Sequence, residues 1–266
     1  MRKNSPEPPG AAPPHDKDFV TSLRKGLEVL TCFGRQASRL TLSEVARLTG
    51  SSPASARRSL QTLHALDYLH SDGKRFWVAP RALLVAHAYL SSRPIPQLAQ
   101  PLLDALAERT RQSASLGKLL DEDVIIIARS TARRSLSTGL GIGARLPGHC
   151  SALGRVMLAS LPPDEAARRL RCMPRPALTQ RTVVDADAVI ERVERCRRDG
   201  WAESDEELEL GVRSIAVPVH EHGGVIVAGL SMSVRAERMG MGEFREAFLP
   251  ALLKAEQTLR QRLYGE

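Results

Sequence analysis

Aromatic residues are scarce, at 4% of the 266-residue chain. The cores must therefore rest on leucine, valine, isoleucine and alanine. No apolar run approaches the roughly 20 residues that a membrane helix needs, which excludes a helical span and a membrane partner. The N-terminal stretch is rich in proline and lacks the apolar centre of a secretory signal. Residues 1–18 read as a disordered leader, and the protein as cytoplasmic. Cysteine is limited to Cys32, Cys150, Cys172 and Cys196, with no CxxC pair and no metal-clamp spacing; these read as four reduced thiols and no metal site. Catalytic signatures are missing too: there is no G-x-S-x-G elbow, no HExxH and no P-loop. Gly139-Leu140-Gly141-Ile142-Gly143 has the wrong spacing for a dinucleotide loop. His149 and Cys150 are chain neighbours, which seldom point at each other. Nothing calls for a cofactor, and the chain reads as a non-enzyme.

Positive charge is plentiful and unevenly placed. The formal net charge is +8. Residues 1–92 hold 13 Lys and Arg against 7 Asp and Glu, a balance of +6, while the remainder hold 25 against 23, a balance of +2. A concentrated basic surface attracts polyanions by releasing their counterions, but a merely solvated surface has the same count. The pattern within the first third has to decide.

That pattern is a series of helices. Leu23, Leu27, Leu30 and Phe33 fall at helical spacing in residues 19–33, and Gly34 breaks the run. Thr41-Leu42-Ser43-Glu44 has the form of a capping box, in which hydroxyl and carboxylate each satisfy the other residue's backbone amide. A second helix follows with Leu42, Val45, Ala46 and Leu48 apolar, and stops at Gly50. Only two serines separate Gly50 from Pro53. Ser52 suits an N-cap and Pro53 a first helical position, so a third helix spans residues 53–66 after a short turn. At about 100° per residue, Ala56, Leu60 and Leu63 share one face, and Arg57, Arg58 and Gln61 the other. Arginine can grip guanine and glutamine adenine through two hydrogen bonds each, which fits a recognition helix. Thr41, Ser52, Ser55 and Thr62 are candidates for phosphate contacts. Tyr68-Leu69-His70 and Arg75-Phe76-Trp77-Val78 flank Ser71-Asp72-Gly73-Lys74. Asp-Gly between strand-like runs predicts a hairpin with positive φ at both central residues, its tip presenting Lys74 and Arg75 to phosphates. These parts, in this order, spell a winged helix-turn-helix; the alternative is a structural bundle with a solvated basic face.

Beyond it, residues 80–91 read as a connecting helix, and a further helix runs to about Gln112 with Leu98, Leu102 and Leu106 in register. Residues 115–120, 124–129 and 136–140 read as strands, with Asp121-Glu122-Asp123 as a turn. Helices are expected at 151–160, 164–172 and 186–199, strands at 212–219 and 225–233, and a last helix at 242–263. The order suggests an α+β domain with a largely antiparallel sheet. Ser231 and Ser233 alternate with apolar neighbours and so share a face. Buried hydroxyls need partners, and a bound carboxylate or carbonyl is one; solvent or backbone partners are the alternative. Ser214 opens another apolar strand. The loop Gly148-His149-Cys150-Ser151 runs into a helix beginning at Ala152, whose first amides could receive an anion. Two other arrangements remain open: an enzyme with an attached DNA-binding domain, and a nonspecific architectural DNA-binding protein. The second would have no use for so large a second domain.

Four separated stretches carry a resemblance. They are residues 22–30 (Ser22-Leu23-Arg24-Lys25-Gly26-Leu27-Glu28-Val29-Leu30), Leu42-Ser43-Glu44-Val45-Ala46, Arg145-Leu146-Pro147 with Gly154-Arg155-Val156-Met157-Leu158-Ala159, and Asp205-Glu206-Glu207 through residues 211–219. Over 19–263 the chain resembles IclR-type transcriptional regulators. Phe19-Val20-Thr21-Ser22-Leu23, Tyr89-Leu90-Ser91-Ser92 and Gln97-Leu98-Ala99-Gln100-Pro101 look like the Pca/Pob branch, whose members control breakdown of aromatic acids such as protocatechuate and 4-hydroxybenzoate. The resemblance implies a winged helix-turn-helix at 19–80, a linker helix at 81–94, and a GAF-like effector-binding and oligomerisation domain at 95–266. It also implies a dimer or dimer of dimers on near-palindromic double-stranded DNA, and a small organic-acid effector. The ligand-contacting segments map to Gly148, His149, Cys150, Ser151, Ala152, Ser204, Asp205, Ser214, Ser231 and Ser233, with Arg133 and Arg134 where a carboxylate-binding arginine occurs. Several relatives carry an acidic residue where Ser204 stands, a departure in pocket chemistry.

Overall fold

A computed structural model describes residues 19–34, 37–131, 140–221 and 223–265. The expected leader at 1–18, Arg133 and Arg134 lie outside the described residues, as does the strand expected at 136–140 except for Leu140, which is in no strand. The chain divides into two compact units, Met1–Ser92 and Arg93–Glu266.

The first unit runs α1 (Thr21–Thr31), β1 (Leu40–Thr41), α2 (Leu42–Thr49), α3 (Pro53–Ala65), β2 (Leu69–Ser71), β3 (Arg75–Val78), a 3-10 turn at Pro80–Ala82 and α4 (Leu83–Ser92). The expected signals set the helix ends. Thr41 and Glu44 form the full capping box, and Gly50 stops α2 at φ 62°. Ser52 caps α3, with Pro53 in its first turn. The amide of Thr41 donates to the Glu44 carboxylate at 2.7 Å, and this bond, with that from the Thr41 hydroxyl, holds the Glu44 carboxyl below its usual range. The core joins Val29 of α1, Val45 and Ala46 of α2, Ala56, Leu60 and Leu63 of α3, and Leu40 and Leu69 of the sheet. Each fully buried leucine contributes about 1.5–3 kcal/mol. The three strands lie in the order β1-β3-β2; β1 was not legible as a strand. The wing's tip departs from expectation, because only Gly73 takes positive φ, at 90°. The Asp72 carboxylate instead accepts the amides of Lys74 and Arg75 at 3.0 and 2.8 Å, so its side chain closes the turn that a left-handed backbone would otherwise have closed.

The second unit runs α5 (Pro94–Thr110), β4 (Ser113–Leu120), β5 (Asp123–Ser130), β6 (Arg145–Pro147), α6 (Ala152–Leu158), α7 (Pro163–Cys172), α8 (Ala186–Asp199), β7 (Ala202–Asp205), β8 (Val212–His220), β9 (Ile226–Arg235) and α9 (Met241–Tyr264). Its six-stranded sheet has the order β6-β5-β4-β9-β8-β7, and every pairing is antiparallel. One face packs on α5 and α9 through Leu103, Leu116, Ile215, Leu230, Met232, Phe244 and Leu252. The other packs on α6, α7 and α8 through Val124, Ile126, Leu153, Val156, Leu170, Val193 and Ala216. On this second face the glycines let helix meet sheet: a Cβ on Gly229 would come within 2.9 Å of Leu153, and one on Gly154 within 2.4 Å of the Gly148 backbone. No helix among the described residues is long and apolar enough to cross a membrane.

Candidate functional site

In the first unit, α3 turns its apolar stripe inward and its basic stripe outward. Ala56, Leu60 and Leu63 are buried, while Arg57, Arg58, Gln61 and Thr62 are exposed. Lys74 and Arg75 are exposed on the wing. Two expected phosphate contacts are used differently. Ser55 is buried, so its hydroxyl is not on the outer face. The Thr41 hydroxyl donates to the Glu44 carboxylate at 2.8 Å, which commits its proton to the cap. The Ser52 hydroxyl accepts the Ser55 amide at 3.3 Å and keeps its own proton to offer. Two further features of this unit are visible only in the structure. Arg58 and Thr62 share a groove of about 750 Å³ with Ser22 and Lys25 of α1, placing a second cation beside the recognition face. The Arg39 guanidinium stacks 4.3 Å from the Trp77 ring, bringing one more positive charge to the wing.

In the second unit, strand register assembles what the sequence scattered. Ser113 of β4 lies opposite Ser233 of β9, Ser233 opposite Ser214 of β8, and Ser214 opposite Ser204 of β7. Residues directly opposite share a face, so these form one serine row across four strands. The next row holds Ser115 of β4 opposite Ser231 of β9. Ser231 and Ser233 share a face, as their alternation predicts, and register brings Ser214, Ser204, Ser113 and Ser115 onto it with them. Asp205 does not. It lies opposite Arg213, on the other face from Ser204, and pairs with Arg213 at 2.6 Å; the two-residue alternation separates them.

The loop before α6 is built into the fold rather than held open. His149, Cys150, Ser151 and Ala152 are buried. The Ser151 hydroxyl donates to Pro147 O at 2.7 Å and accepts the Gly154 amide at 3.0 Å, so the helix start expected to greet an anion is already capped. The Ser204 hydroxyl donates to Cys150 O at 2.7 Å. Gly148 is required by close packing, since a Cβ there would meet Glu122 O at 2.1 Å. Arg155 secures the loop from below. It donates to His149 O at 3.1 Å and forms a two-pronged, buried ion pair with Glu207 at 2.8 and 2.6 Å. Burial pushes the Cys150 thiol up to about 12 and the His149 imidazole below its usual value. The His149 Nε2 lies 3.2 Å from Pro176 O. A suppressed thiolate and an engaged imidazole make a poor nucleophile and base.

Arg129 of β5 stands out only in the structure, since the sequence marks it as no more than the end of a strand. It lies opposite Ser115 on the serine face, and its Nη1 donates to the Ser115 hydroxyl at 2.6 Å. Its Nε is buried without a hydrogen-bond partner. A basic residue closing an otherwise apolar run, Val124-Ile125-Ile126-Ile127-Ala128, was the available signal.

Residues 22–73 match the family described as IclR helix-turn-helix domain, and residues 87–260 match Bacterial transcriptional regulator IclR C-terminal. The chain belongs to the IclR family. The Pca regulon regulatory protein of Pseudomonas putida is 37% identical over 94% of this chain and 86% of its own. A solved transcriptional regulator from Rhodococcus sp. RHA1 superposes with a TM-score of 0.75 and 37% identity, covering 91% of this chain and 98% of that one. The inducer-binding domain of a PobR double mutant from Acinetobacter, solved with 3-hydroxybenzoic acid, gives a TM-score of 0.58 and 30% identity over 62% of this chain and 97% of that one. As an IclR-family member the chain is a DNA-binding transcriptional regulator and not an enzyme, and its α+β architecture is that of the family's structures.

Proposed function

We propose that the protein works in the cytoplasm as a one-component switch on genes for aromatic-acid breakdown. Its operator affinity would be set by an aromatic acid or a ring-cleavage product of one. In this reading residues 19–80 bind DNA, 81–94 link, and 95–266 bind effector and self-associate. The α3 helix enters the major groove with Arg57, Arg58 and Gln61 toward base edges, while Ser52, Thr62, Lys74 and Arg75 hold phosphates. The observation that carries it is the exposed basic stripe opposite a buried apolar stripe on a single capped helix. The similarity to a regulator of the Pca regulon and to an inducer-binding domain that takes 3-hydroxybenzoic acid supports the effector class.

The effector would lie on the serine face, at Ser214, Ser231 and Ser233, with the Gly148–Ala152 segment and Ser204 as its structural edge and Arg133 and Arg134 as further candidates. Binding there changes operator affinity only insofar as the ligand prefers one of two states. A near-palindromic operator calls for two copies. Phe19 just before α1, Leu23 and Leu27 on α1, and Leu83, Leu84, Val85 and Tyr89 on α4 are exposed apolar side chains that a second copy would cover.

The test is operator binding by Arg57→Ala and Arg58→Ala in a mobility-shift assay at fixed salt. Each is expected to lose about 1–3 kcal/mol of specific affinity. Unchanged binding by both would remove α3 from the major groove.

A further inference from the structure

We propose that Arg129 holds the carboxylate of the effector, which lies across β4, β9 and β8 with a hydroxyl-bearing far end at Ser233 and Ser214. The assignment rests on the reading that the serine face receives a small organic acid, and it adds the anchor and the orientation. Three observations carry it.

The first is reach. Arg129 stands on β5, yet its Nη1 is 2.6 Å from the Ser115 hydroxyl of β4, so the guanidinium is carried one strand inward over the serine face. The second is a missing counter-charge. Arg155, the arginine fully buried in this sheet's packing, has Glu207 as a two-pronged partner. Arg129 has no carboxylate within ion-pair distance among the described residues, and its Nε is buried with no acceptor. Burial also lowers its pKa, with no opposing charge to restore it. A half-buried, unneutralised cation with one donor shut off from water is costly in a fold. An arriving carboxylate would satisfy both the charge and the fork of donors that arginine presents.

The third is span. Ser115 pairs with Ser231, and one row along Ser233 pairs with Ser214. Strands lie about 4.8 Å apart, so roughly 10 Å separates β4 from β8. That length suits a benzene ring with a carboxylate at one end and a hydroxyl across from it. A serine hydroxyl can donate to and accept from such a group. The ligand class is therefore a hydroxylated aromatic monocarboxylate, oriented acid-first toward β5.

The experiment is calorimetry on the full chain, wild type and Arg129→Gln, with 3-hydroxybenzoate, 4-hydroxybenzoate, their methyl esters, and adipate as an aliphatic acid. The wild type is expected to bind an acid and to reject its ester. Arg129→Gln is expected to bind the acid about 30-fold or more weakly, near the loss of one charge-assisted two-pronged contact, and to distinguish acid from ester little. Arg129→Lys should recover part of the affinity. Ser115→Ala, which frees the guanidinium but keeps the charge, should weaken the acid and leave the ester unchanged; it serves if Arg129→Gln does not fold. If Arg129→Gln and Ser115→Ala bind the acid as wild type does and keep the preference over ester, Arg129 is not the anchor, while the aromatic-acid reading stands. If only adipate binds, and binds through Arg129, the anchor stands and the aromatic reading falls. If the wild type binds no acid, both fall.

Discussion

Replacing Glu207 with glutamine tests whether the effector unit is held together by charge at the point where its binding loop is fixed. The Glu207 carboxylate accepts from Arg155 Nη1 at 2.8 Å and Nη2 at 2.6 Å, and from Arg192 Nη1 at 2.6 Å. The Arg155 and Glu207 side chains are 2% and 3% exposed, so solvent screening does little to weaken the pair. Removing one partner of a buried pair typically costs about 3–5 kcal/mol, because the remaining charge stays desolvated. Glutamine keeps one carbonyl acceptor, so Glu207→Gln belongs near the lower end, about 3 kcal/mol, and Glu207→Ala near the upper. In a unit of this size 1 kcal/mol moves the melting point by about 2–4 °C, so Glu207→Gln should melt roughly 6–12 °C lower by calorimetry. An internal comparison is Arg168→Ala, which breaks an exposed pair with Glu165 and should cost under about 1 kcal/mol. The double variant Arg155→Met with Glu207→Leu should recover much of the loss, because no unpaired charge is left between them. If Glu207→Gln melts within about 2 °C of wild type, Arg155 is not being neutralised in the way its geometry says. Arg155 would then not be what pins the His149 carbonyl.

Two more outcomes follow from packing and ionisation. Gly154→Ala should cost about 1–3 kcal/mol by denaturant unfolding, because its Cβ would sit 2.4 Å from Gly148 Cα, backbone against backbone; an unshifted midpoint would mean that α6 can move away freely. With a thiol reagent near neutral pH, exposed Cys172 should label first. Cys150 and Cys196, whose thiols burial holds at about 12, should label only on unfolding; fast modification of either in the folded chain would contradict their burial.

The first unit was legible because its determinants are local. The Thr41–Glu44 box, the Gly50 stop and the Ser52-Pro53 start each lie within four residues of what they control, and the structure places all three where the letters put them. Where a second segment decides, the sequence was silent. Leu40–Thr41 is a strand only because β3 pairs with it. Ala202–Asp205 and Arg145–Pro147 are short and carry polar or proline residues, so they show no apolar alternation and take their strand character from β8 and β5. The Asp72 turn departs from the Asp-Gly expectation because that rule assumes that the backbone closes the hairpin, whereas here a carboxylate does.

The effector face divides along the same line. Alternation alone put Ser231 and Ser233 on one face, but it could not say which serines are available to a ligand, because availability depends on what else accepts or donates nearby. Ser151 and Ser204 spend their hydroxyls on Pro147 O and Cys150 O, and so hold the loop. Ser231 reaches Ser115 O only at 3.5 Å, and the hydroxyls of Ser214 and Ser233 meet no partner among the described residues. The same accounting separates the arginines: Arg155 and Arg213 are consumed by Glu207 and Asp205, and Arg129 is left with a single serine. A residue's candidacy as a ligand contact is thus a remainder, what is left after the fold has satisfied its own polar groups, and it is fixed only once the strands are in register.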